Sequence, residues 1–551
     1  MDRCQRSATD LTRRQALQAG GALAFGALAA GMLGGCASAS ASSTEHTWDK
    51  EADVVVIGAG TGLYTALRTQ KAGLKTIVLE KAEQAGGSTI YSSSVVWAPA
   101  NDLMKQAGDA DSREDALAYI EAGSGETYLP EHAAAFVDTV NTAISNIADM
   151  TDIEWTYWKP GIDYRSDLPG GKRIGRSLCP QVAEGQKIAG VLGSALVDAA
   201  KAAGVDILLK TPAVELVTRT DDTGAIEVLG VVALEKGKRV SIKASRAVVL
   251  SSGSFDWNQD MMKNYLRVPA IYSWGVPTGT GDGQRIGMKA GCDMRFMNEA
   301  WLSPGYRAEY EEAFAMESSK LSTAIRDDCK RGLIYVNKHG KRFTNECANY
   351  DSVGRSFCAL ENGPEPRGWR NLPAFAIAGA DAVAKYGLNG GEPGKPGPSF
   401  KQYATLEELA DGCGIDAEGL LAEVARYNEN AEAGLDPDFG RGQDYYGQHY
   451  AGGDADYEGA ARTLAPLGEG PYWAAEVVPV VLGTMGGVKT NADSQALDVD
   501  GNGIARLYAH GNCAGHGCGG AFYSGGGGTL GPSLAFGEIA ATRIKALESW
   551  K

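Results

Sequence analysis

The stretch that decides the fold is 53–62, which reads DVVVIGAGTG. A short apolar run suited to a buried parallel strand is followed by a glycine-rich turn. A helical stretch then runs to about Ala72, and a second apolar run over 75–79 ends at Glu80. Strand, glycine turn, helix, strand and acid in this order predict a βαβ unit that binds a dinucleotide. The alternative is an ordinary βαβ unit with a glycine-rich turn.

The turn has the chemistry that a pyrophosphate needs. Glycines let the phosphates approach backbone N–H groups at a helix N-terminus, where the helix dipole favours negative charge. Glu80 lies 20 residues after Gly60, the spacing needed to hydrogen-bond a ribose hydroxyl. The motif departs from its usual form at one place, because Leu63 stands where the third glycine is expected and Gly62 comes one position early.

Composition and charge argue against several classes of partner and site. The 551 residues suggest about two to four domains. A net charge of −16 argues against a nucleic-acid partner, which would need a basic face. No stretch reaches ~18 strongly apolar residues, so no membrane-spanning helix is expected. The cysteines form no Cys-x-x-Cys pair and the six histidines are scattered, so no metal site is expected.

The N-terminus is typical of an export signal. Arg13 and Arg14 precede an Ala/Gly-rich stretch, which resembles a Tat signal. The sequence LGGC ending at Cys36 resembles a bacterial lipoprotein box. Residues 1–36 are therefore expected to be the signal, with a lipid anchor at Cys36 and a tether over 37–49. We expect Tat export and attachment to the outer face of the cell membrane. A chance arginine pair before an ordinary Sec signal is the alternative.

Three further segments extend the predicted dinucleotide site. Small and hydroxylated residues fill 86–94, a second apolar strand over 247–255 ends in a small-residue turn, and 523–532 reads YSGGGGTLGP before a predicted helix over 533–546. The N-terminus of that helix is placed to direct its dipole at the pyrimidine edge of a flavin.

These segments together resemble the flavoprotein family of fumarate reductases and 3-ketosteroid dehydrogenases. The resemblance covers most of 50–551 and is carried by 86–89, 279–283, 336–346, 483–487 and 523–532. It implies an α/β fold with a Rossmann-like FAD-binding domain built from both chain ends and an inserted α+β substrate (capping) domain. We expect the FAD-binding domain over 50–284 and 471–551, and the inserted domain over 285–470.

The resemblance also implies which residues hold the cofactor. Family members that attach FAD covalently use a histidine just after the Gly-Gly pair, and none occurs between His46 and His132, so FAD is expected to bind non-covalently. Asp282 has a helix cap as its alternative role. We expect FAD to contact Gly58, Ala59, Gly60, Gly62, Glu80, Lys81, Gly87, Ser88, Thr89, Ser92, Ser93, Ser94, Val214, Gly253, Asp282, Asn512, Ser533 and Leu534.

The residues that clamp dicarboxylates in fumarate reductases are missing. Gly483 stands at the position of the family's histidine and Tyr523 at that of its late arginine. The proton-shuttling arginine aligns near Cys329, with Arg326 and Arg331 out of register; whether either shuttles a proton stays open. Fumarate itself is therefore disfavoured as a substrate.

The ketosteroid dehydrogenase pattern fits better. Its final glycine motif matches 523–532, its Asn-Glu-x-x-x-Tyr matches 345–350, and its Asp-Tyr ahead of Pro-Gly-Gly and Gly-Arg-Ser matches 163–177. Asn349 replaces the usual proline before Tyr350.

This pattern implies a division of catalytic roles. The Tyr523 hydroxyl and the Gly527 N–H would donate to the ketone oxygen, as an oxyanion hole does. Tyr350, with its pKa lowered through Tyr164, would take the α-proton. The hydride would pass to the flavin. Each tyrosine has a packing residue as its alternative.

We therefore expect an exported FAD oxidoreductase that acts on a C=C bond conjugated to a ketone in a steroid-like or other hydrophobic polycyclic substrate. A quinone-linked or cytochrome partner at the membrane would supply or accept the electrons. Two alternatives stay open: a reductase of a small acrylate-type acid, and a non-catalytic FAD electron carrier.

Overall fold

The computed structural model describes residues 46–159, 161–269, 272–315, 329–363, 368–450 and 452–550. The predicted signal, Cys36 and most of the tether lie outside these residues. The described residues from Trp48 onward form one compact unit. The β-strands are β1 Lys50–Ile57, β2 Thr76–Leu79, β3 Val96–Trp97, β4 Trp155–Tyr157, β5 Ser177–Pro180, β6 Asp206–Leu208, β7 Ala213–Thr220, β8 Ile226–Glu235, β9 Lys238–Leu250, β10 Tyr272–Ser273, β11 Met294–Arg295, β12 Ala300–Tyr306, β13 Leu333–Asn337, β14 Ala374–Ala378, β15 Lys401–Tyr403, β16 Tyr472–Thr484, β17 Gly487–Val488, β18 Gln495–Leu497 and β19 Gly503–Ala509. The α-helices are α1 Gly62–Lys71, α2 Asp102–Gln106, α3 Arg113–Ser124, α4 Pro130–Met150, α5 Val191–Ala202, α6 Gln259–Tyr265, α7 Asp282–Lys289, α8 Arg307–Ala315, α9 Tyr350–Ser356, α10 Ala380–Tyr386, α11 Leu406–Cys413, α12 Ala417–Glu432, α13 Tyr445–His449 and α14 Leu530–Ala546.

The first sheet combines strands from both ends of the chain, in the order β18-β19-β8-β9-β1-β2-β6, with β7 paired to β8. Strands β6, β2, β1, β9 and β19 run parallel, and β7 and β8 form antiparallel pairs. The predicted βαβ unit is β1, α1 and β2. Because β19 follows the inserted segment and pairs with β9, the Rossmann-like domain is built from both chain ends, as the sequence predicted.

Helices cover one face of this sheet. Apolar residues of α1, α4, α5 and α14 pack together in one buried cluster with strand residues such as Val54 and Val56. The last helix begins at Leu530, three residues before the predicted start. Pro532 falls in its first turn, where proline leaves no hydrogen bond unmade.

A second, mainly antiparallel sheet has the order β10-β16-β14-β13, with β12 and β15 also paired to β16. Strands β10 and β16 extend this sheet beyond 285–470 on both sides, and the predicted domain boundaries stay a prediction. Among the described residues, no helix has the length and apolarity to cross a membrane. Within the same residues, no group of three or more His, Cys, Asp or Glu is arranged to hold a metal ion.

Candidate functional site

A cavity of about 830 Å³ opens at the carboxyl ends of β1, β2 and β9. This is the edge of a parallel sheet where ligands bind in doubly wound folds. The cavity is continuous from Glu80 at one end to Tyr350 and Tyr523 at the other. A volume at the upper end of the usual range for ligand pockets suits a large elongated ligand.

The glycine turn forms one wall of the cavity. Gly58 has φ +107°, and a Cβ there would collide with the carbonyl oxygen of Ser251. A Cβ at Gly60 would lie 3.5 Å from the Thr89 hydroxyl and 3.8 Å from the Gly86 carbonyl oxygen, which are ordinary contacts, so this backbone is not packed tightly against its neighbours. The Ser251 hydroxyl is buried at the cavity wall and has no hydrogen-bond partner among the described residues. A loosely packed glycine backbone beside an unpartnered donor fits the pyrophosphate of a dinucleotide.

Glu80 fixes the turn as well as lining the cavity. One carboxylate oxygen accepts the Ala59 N–H at 2.9 Å and the other accepts the Ala82 N–H at 2.8 Å. Lys81 forms an ion pair of 2.7 Å with Asp282, at the start of α7. Glu80 therefore holds the ends of the strands in place. Lys81 and Asp282, which were also predicted to contact the cofactor, lie at the same end of the cavity.

Most of the predicted cofactor residues line this cavity. They are Gly58, Ala59, Gly60, Glu80, Lys81, Gly87, Ser88, Thr89, Ser92, Ser93, Gly253, Asp282, Asn512 and Ser533.

Four predicted cofactor residues do not line the cavity. A Cβ at Gly62 would lie 2.9 Å from Val56 Cγ1, so this glycine serves the close packing of α1 on β1. The Ser94 hydroxyl is turned inward and accepts the Leu192 N–H at 3.1 Å. Ala213 lines the cavity in place of Val214. Leu534 is fully buried in the helix-packed core.

The structure brings the three predicted tyrosines together at the other end. The Tyr350 hydroxyl donates to the Tyr523 hydroxyl at 2.6 Å, and the Tyr164 hydroxyl donates to that of Tyr350 at 3.1 Å. The ring centroids lie 5.1 to 5.5 Å apart, each pair edge to face. Gly527 lines the same cavity. The phenols thus form one continuous hydrogen-bonded chain.

Backbone contacts hold this chain of phenols in register. The Tyr164 N–H donates to the carbonyl oxygen of Ser524 at 3.0 Å, which ties Tyr164 to the loop that carries Tyr523. Tyr350 is the first residue of α9, and the side chain of Asn349 caps this helix by accepting the Ser352 N–H at 3.0 Å. Asparagine is a favoured N-cap, which explains how the helix starts without the family's proline.

The sequence predicts a lowered pKa for Tyr350, and in the structure of the protein alone this prediction is wrong. Burial raises the pKa of Tyr350 well above its usual value, and the hydrogen bond from Tyr164 lowers it by less. Burial also raises the pKa of Tyr164 and of Tyr523. The three phenols therefore stay neutral. Burial disfavours the charged phenolate, and the rings next to each hydroxyl are themselves neutral.

Sequence reasoning missed the remaining walls at the tyrosine end. Trp158, Trp274, Tyr450 and Leu482 also line the cavity there. They come from separate segments with no recognisable motif, so only a spatial arrangement could identify them. Trp274 packs edge to face on Tyr350, with ring centroids 6.3 Å apart.

Charged side chains are confined to the opposite end. Among the described residues that line the cavity, the charged ones are Glu80, Lys81 and Asp282. Arg331 does not line it; its guanidinium lies 3.3 Å from the ring centroid of Tyr457. Arg326 lies outside the described residues. The tyrosine end is therefore a wall of neutral aromatic groups in the part of the chain that the structure describes.

Comparisons with known proteins agree with this geometry. The profile of the family described as FAD binding domain matches residues 53–530. A 4-oxocyclohexanecarboxylate 2-dehydrogenase of Sinomonas cyclohexanicum is 33% identical over 89% of this chain and 92% of its own. A 3-oxosteroid 1-dehydrogenase of Mycobacterium tuberculosis is 31% identical over 90% and 98%. The crystal structure of 3-ketosteroid delta1-dehydrogenase from Sterolibacterium denitrificans, in complex with 1,4-androstadiene-3,17-dione, superposes with a TM-score of 0.80 at 27% identity, covering 90% of this chain and all of that one. The predicted family resemblance and the predicted cofactor, FAD, are confirmed.

Proposed function

The chain belongs to the FAD binding domain family of oxidoreductases, and on this basis we propose that it adds or removes hydrogen across a C=C bond conjugated to a ketone in a steroid-like or other polycyclic substrate. The observation that carries the proposal is the hydrogen-bonded chain of Tyr164, Tyr350 and Tyr523, which faces a cavity end lined by neutral aromatic groups. A neutral phenol binds a neutral ketone without the cost of burying an unpaired charge.

Each phenol has a role that its position supports. Tyr523 donates its hydroxyl proton in a hydrogen bond to the ketone oxygen, with the Gly527 N–H beside it, where negative charge develops as the enolate forms. In reduction the neutral Tyr350 phenol gives its proton to the α-carbon and becomes a phenolate. In dehydrogenation that phenolate, formed once the hydroxyl proton has passed to solvent, takes the α-proton and becomes neutral again. Tyr164 donates to Tyr350 and stabilises negative charge on its oxygen. FAD, when bound, supplies or accepts the hydride.

The relatives support a ring ketone as the substrate. By their names, the dehydrogenases from Sinomonas cyclohexanicum and Mycobacterium tuberculosis act on 4-oxocyclohexanecarboxylate and on a 3-oxosteroid, which both carry a ketone on a ring. A small dicarboxylate would instead need cations at the tyrosine end of the cavity, because buried carboxylates must be paired. No observation favours an acrylate-type acid.

The decisive experiment is anaerobic. The purified flavoprotein is reduced chemically and mixed with 3-keto-Δ1 and 3-keto-Δ4 steroids, or with fumarate, urocanate and cinnamate, while the flavin absorbance is followed. We expect the ketones to reoxidise the flavin. Reoxidation by the acids alone would contradict the proposal, and reoxidation by none of them would favour the electron carrier.

Two variants, each with one tyrosine replaced by phenylalanine, test which hydroxyl takes part in the reaction. Tyr523→Phe removes the proposed donor to the ketone oxygen, and the rate of reoxidation should fall by about 10² to 10³. Tyr446→Phe is the matched control, because Tyr446 belongs to the same aromatic cluster but does not line the cavity. Equal loss in both variants would refute a specific role for Tyr523.

The proposed function includes export through the Tat route and a lipid anchor at Cys36. The twin arginines and the LGGC sequence support this location. An enzyme outside the cytoplasm lacks a ready supply of NAD(P)H, so a quinone-linked or cytochrome partner in the membrane exchanges the electrons. The Cys36→Ala variant should leave the membrane fraction of fractionated cells, whereas the native chain stays with it; equal distribution would exclude the anchor.

A further inference from the structure

A buried carboxylate lies directly behind one wall of the cavity. Asp256 is fully buried and accepts short hydrogen bonds from the hydroxyls of Ser254 and Ser273. Within the described residues it forms no ion pair with Lys, Arg or His. A buried carboxylate without a cation is costly, and burial raises the pKa of Asp256 to about 6. Such a group calls for a role beyond filling space.

The loop 273–279 wraps around this carboxylate. A Cβ at Gly275 would lie 2.5 Å from one Asp256 carboxylate oxygen, and a Cβ at Gly279 would lie 3.0 Å from the other. The Gly275 N–H donates to the Ser273 hydroxyl at 2.8 Å, so the same hydroxyl joins the carboxylate to the loop backbone. The two glycines are needed because Asp256 occupies the space that side chains would take.

The next residue fixes the loop from the other side. The indole N–H of Trp257 donates to the carbonyl oxygen of Gly275 at 2.9 Å, and its backbone N–H donates to that of Gly279, also at 2.9 Å. Asp256 and Trp257 together therefore hold both ends of the turn.

This loop is part of the cavity that holds the cofactor. Ser254 and the loop residues Trp274, Gly275, Val276 and Gly279 line the cavity. Trp274 also packs on Tyr350, so the loop runs from the tyrosine end toward Asp282. Any movement of the loop would change the shape of the cavity along this wall.

We propose that Asp256 is a positioning residue that holds the loop 273–279 as a wall of the FAD cavity, acting through the hydroxyls of Ser254 and Ser273. Each carboxylate oxygen accepts from one of the two hydroxyls, whereas an amide of the same size has an acceptor oxygen at only one of these two places. The inference concerns the cavity and its cofactor, and it stands whether or not the substrate is a ring ketone.

The test measures FAD binding to the apoprotein. Asp256→Ala removes both acceptors, and the dissociation constant for FAD, followed by flavin fluorescence, should rise at least about tenfold. The visible circular dichroism of the bound flavin, which reports the wall around it, should change as well. Asp256→Asn keeps one acceptor and should restore part of the affinity, and it replaces the alanine variant if that one does not fold. Asp260→Asn, which alters an exposed carboxylate on α6, is the matched control and should stay within about twofold of the native protein.

A double-mutant cycle separates this role from general destabilisation. If Asp256 acts through Ser273, the Asp256→Ala/Ser273→Ala variant should bind FAD no more weakly than the weaker of the two single variants. Additive losses would overturn the proposal, as would an Asp256→Ala variant that binds FAD within twofold of the native protein with an unchanged dichroism spectrum.

Discussion

The buried imidazole of His516 should make the protein sensitive to acid. His516 is 1% exposed, and its Nδ1 donates to the carbonyl oxygen of Gly517 at 2.9 Å. Burial, with a smaller contribution from His132, lowers its pKa from 6.5 to about 3. The unfolded chain therefore binds a proton that the folded chain excludes, and stability is lost as the pH falls below 6.5.

The size of the effect follows from the gap between the two pKa values. Between pH 6.5 and pH 5, protonation of this histidine stabilises the unfolded state by about 1.36 kcal/mol for each pH unit. Over about 1.5 pH units this amounts to about 2 kcal/mol. The folded state gains almost nothing over this range, because its pKa is about 3. His516→Gln removes the titration, so the native protein should lose about 2 kcal/mol more than this variant between pH 8 and pH 5.

Urea unfolding at a fixed FAD concentration, followed by circular dichroism at both pH values, measures this difference. Because other buried histidines and carboxylates also titrate, the comparison between the two proteins matters and the absolute slope does not. Parallel pH dependence of the native protein and His516→Gln would show that the imidazole can be protonated in the folded state, and the reasoning would fail.

Two further changes test the site and its support. Gly527→Ala places a Cβ against the Val95 carbonyl oxygen at a φ of +86°, so turnover of a ring ketone should fall by about 10² or more while FAD stays bound, as stopped-flow reduction would show; unchanged turnover would refute a tight role for this backbone. Glu346→Gln leaves the buried guanidiniums of Arg342 and Arg441 short of one negative charge, and the free energy of unfolding in urea should drop by about 3 to 5 kcal/mol; a loss under 1 kcal/mol would contradict this account.

The cofactor half of the site was predictable because its signal is local. A strand, a glycine turn and an acid at fixed spacing bring their backbone groups together within one βαβ unit, so β1, α1 and β2 fell where the sequence placed them. Gly62 and Leu534 lie away from the cavity because both pack in the core. A glycine turn or a helix start can serve packing or binding, and the sequence pattern is the same for both.

The tyrosine half was predictable only through family motifs. Tyr350 lies 186 residues after Tyr164 in the sequence, and Tyr523 lies 173 residues after Tyr350. No sequence periodicity links the three tyrosines. The surrounding wall carries no motif at all. Trp158 and Tyr450 meet edge to face, with ring centroids 6.0 Å apart, through a fold that joins distant segments. Long-range packing of this kind is a property of the tertiary structure.

One physical effect accounts for both the wrong pKa prediction and the substrate preference. Removal from water raises the pKa of Tyr350 because a phenolate there loses its hydration and gains no cation. The same loss of hydration would act on any carboxylate that entered beside Tyr350 and Tyr523, at several kcal/mol for each unpaired charge. A ketone avoids this cost, since it carries charge only as the enolate forms, at the oxygen to which Tyr523 donates. Buried neutral walls therefore disfavour the binding of dianions. They leave electrostatic stabilisation to the step in which negative charge develops on the ketone oxygen.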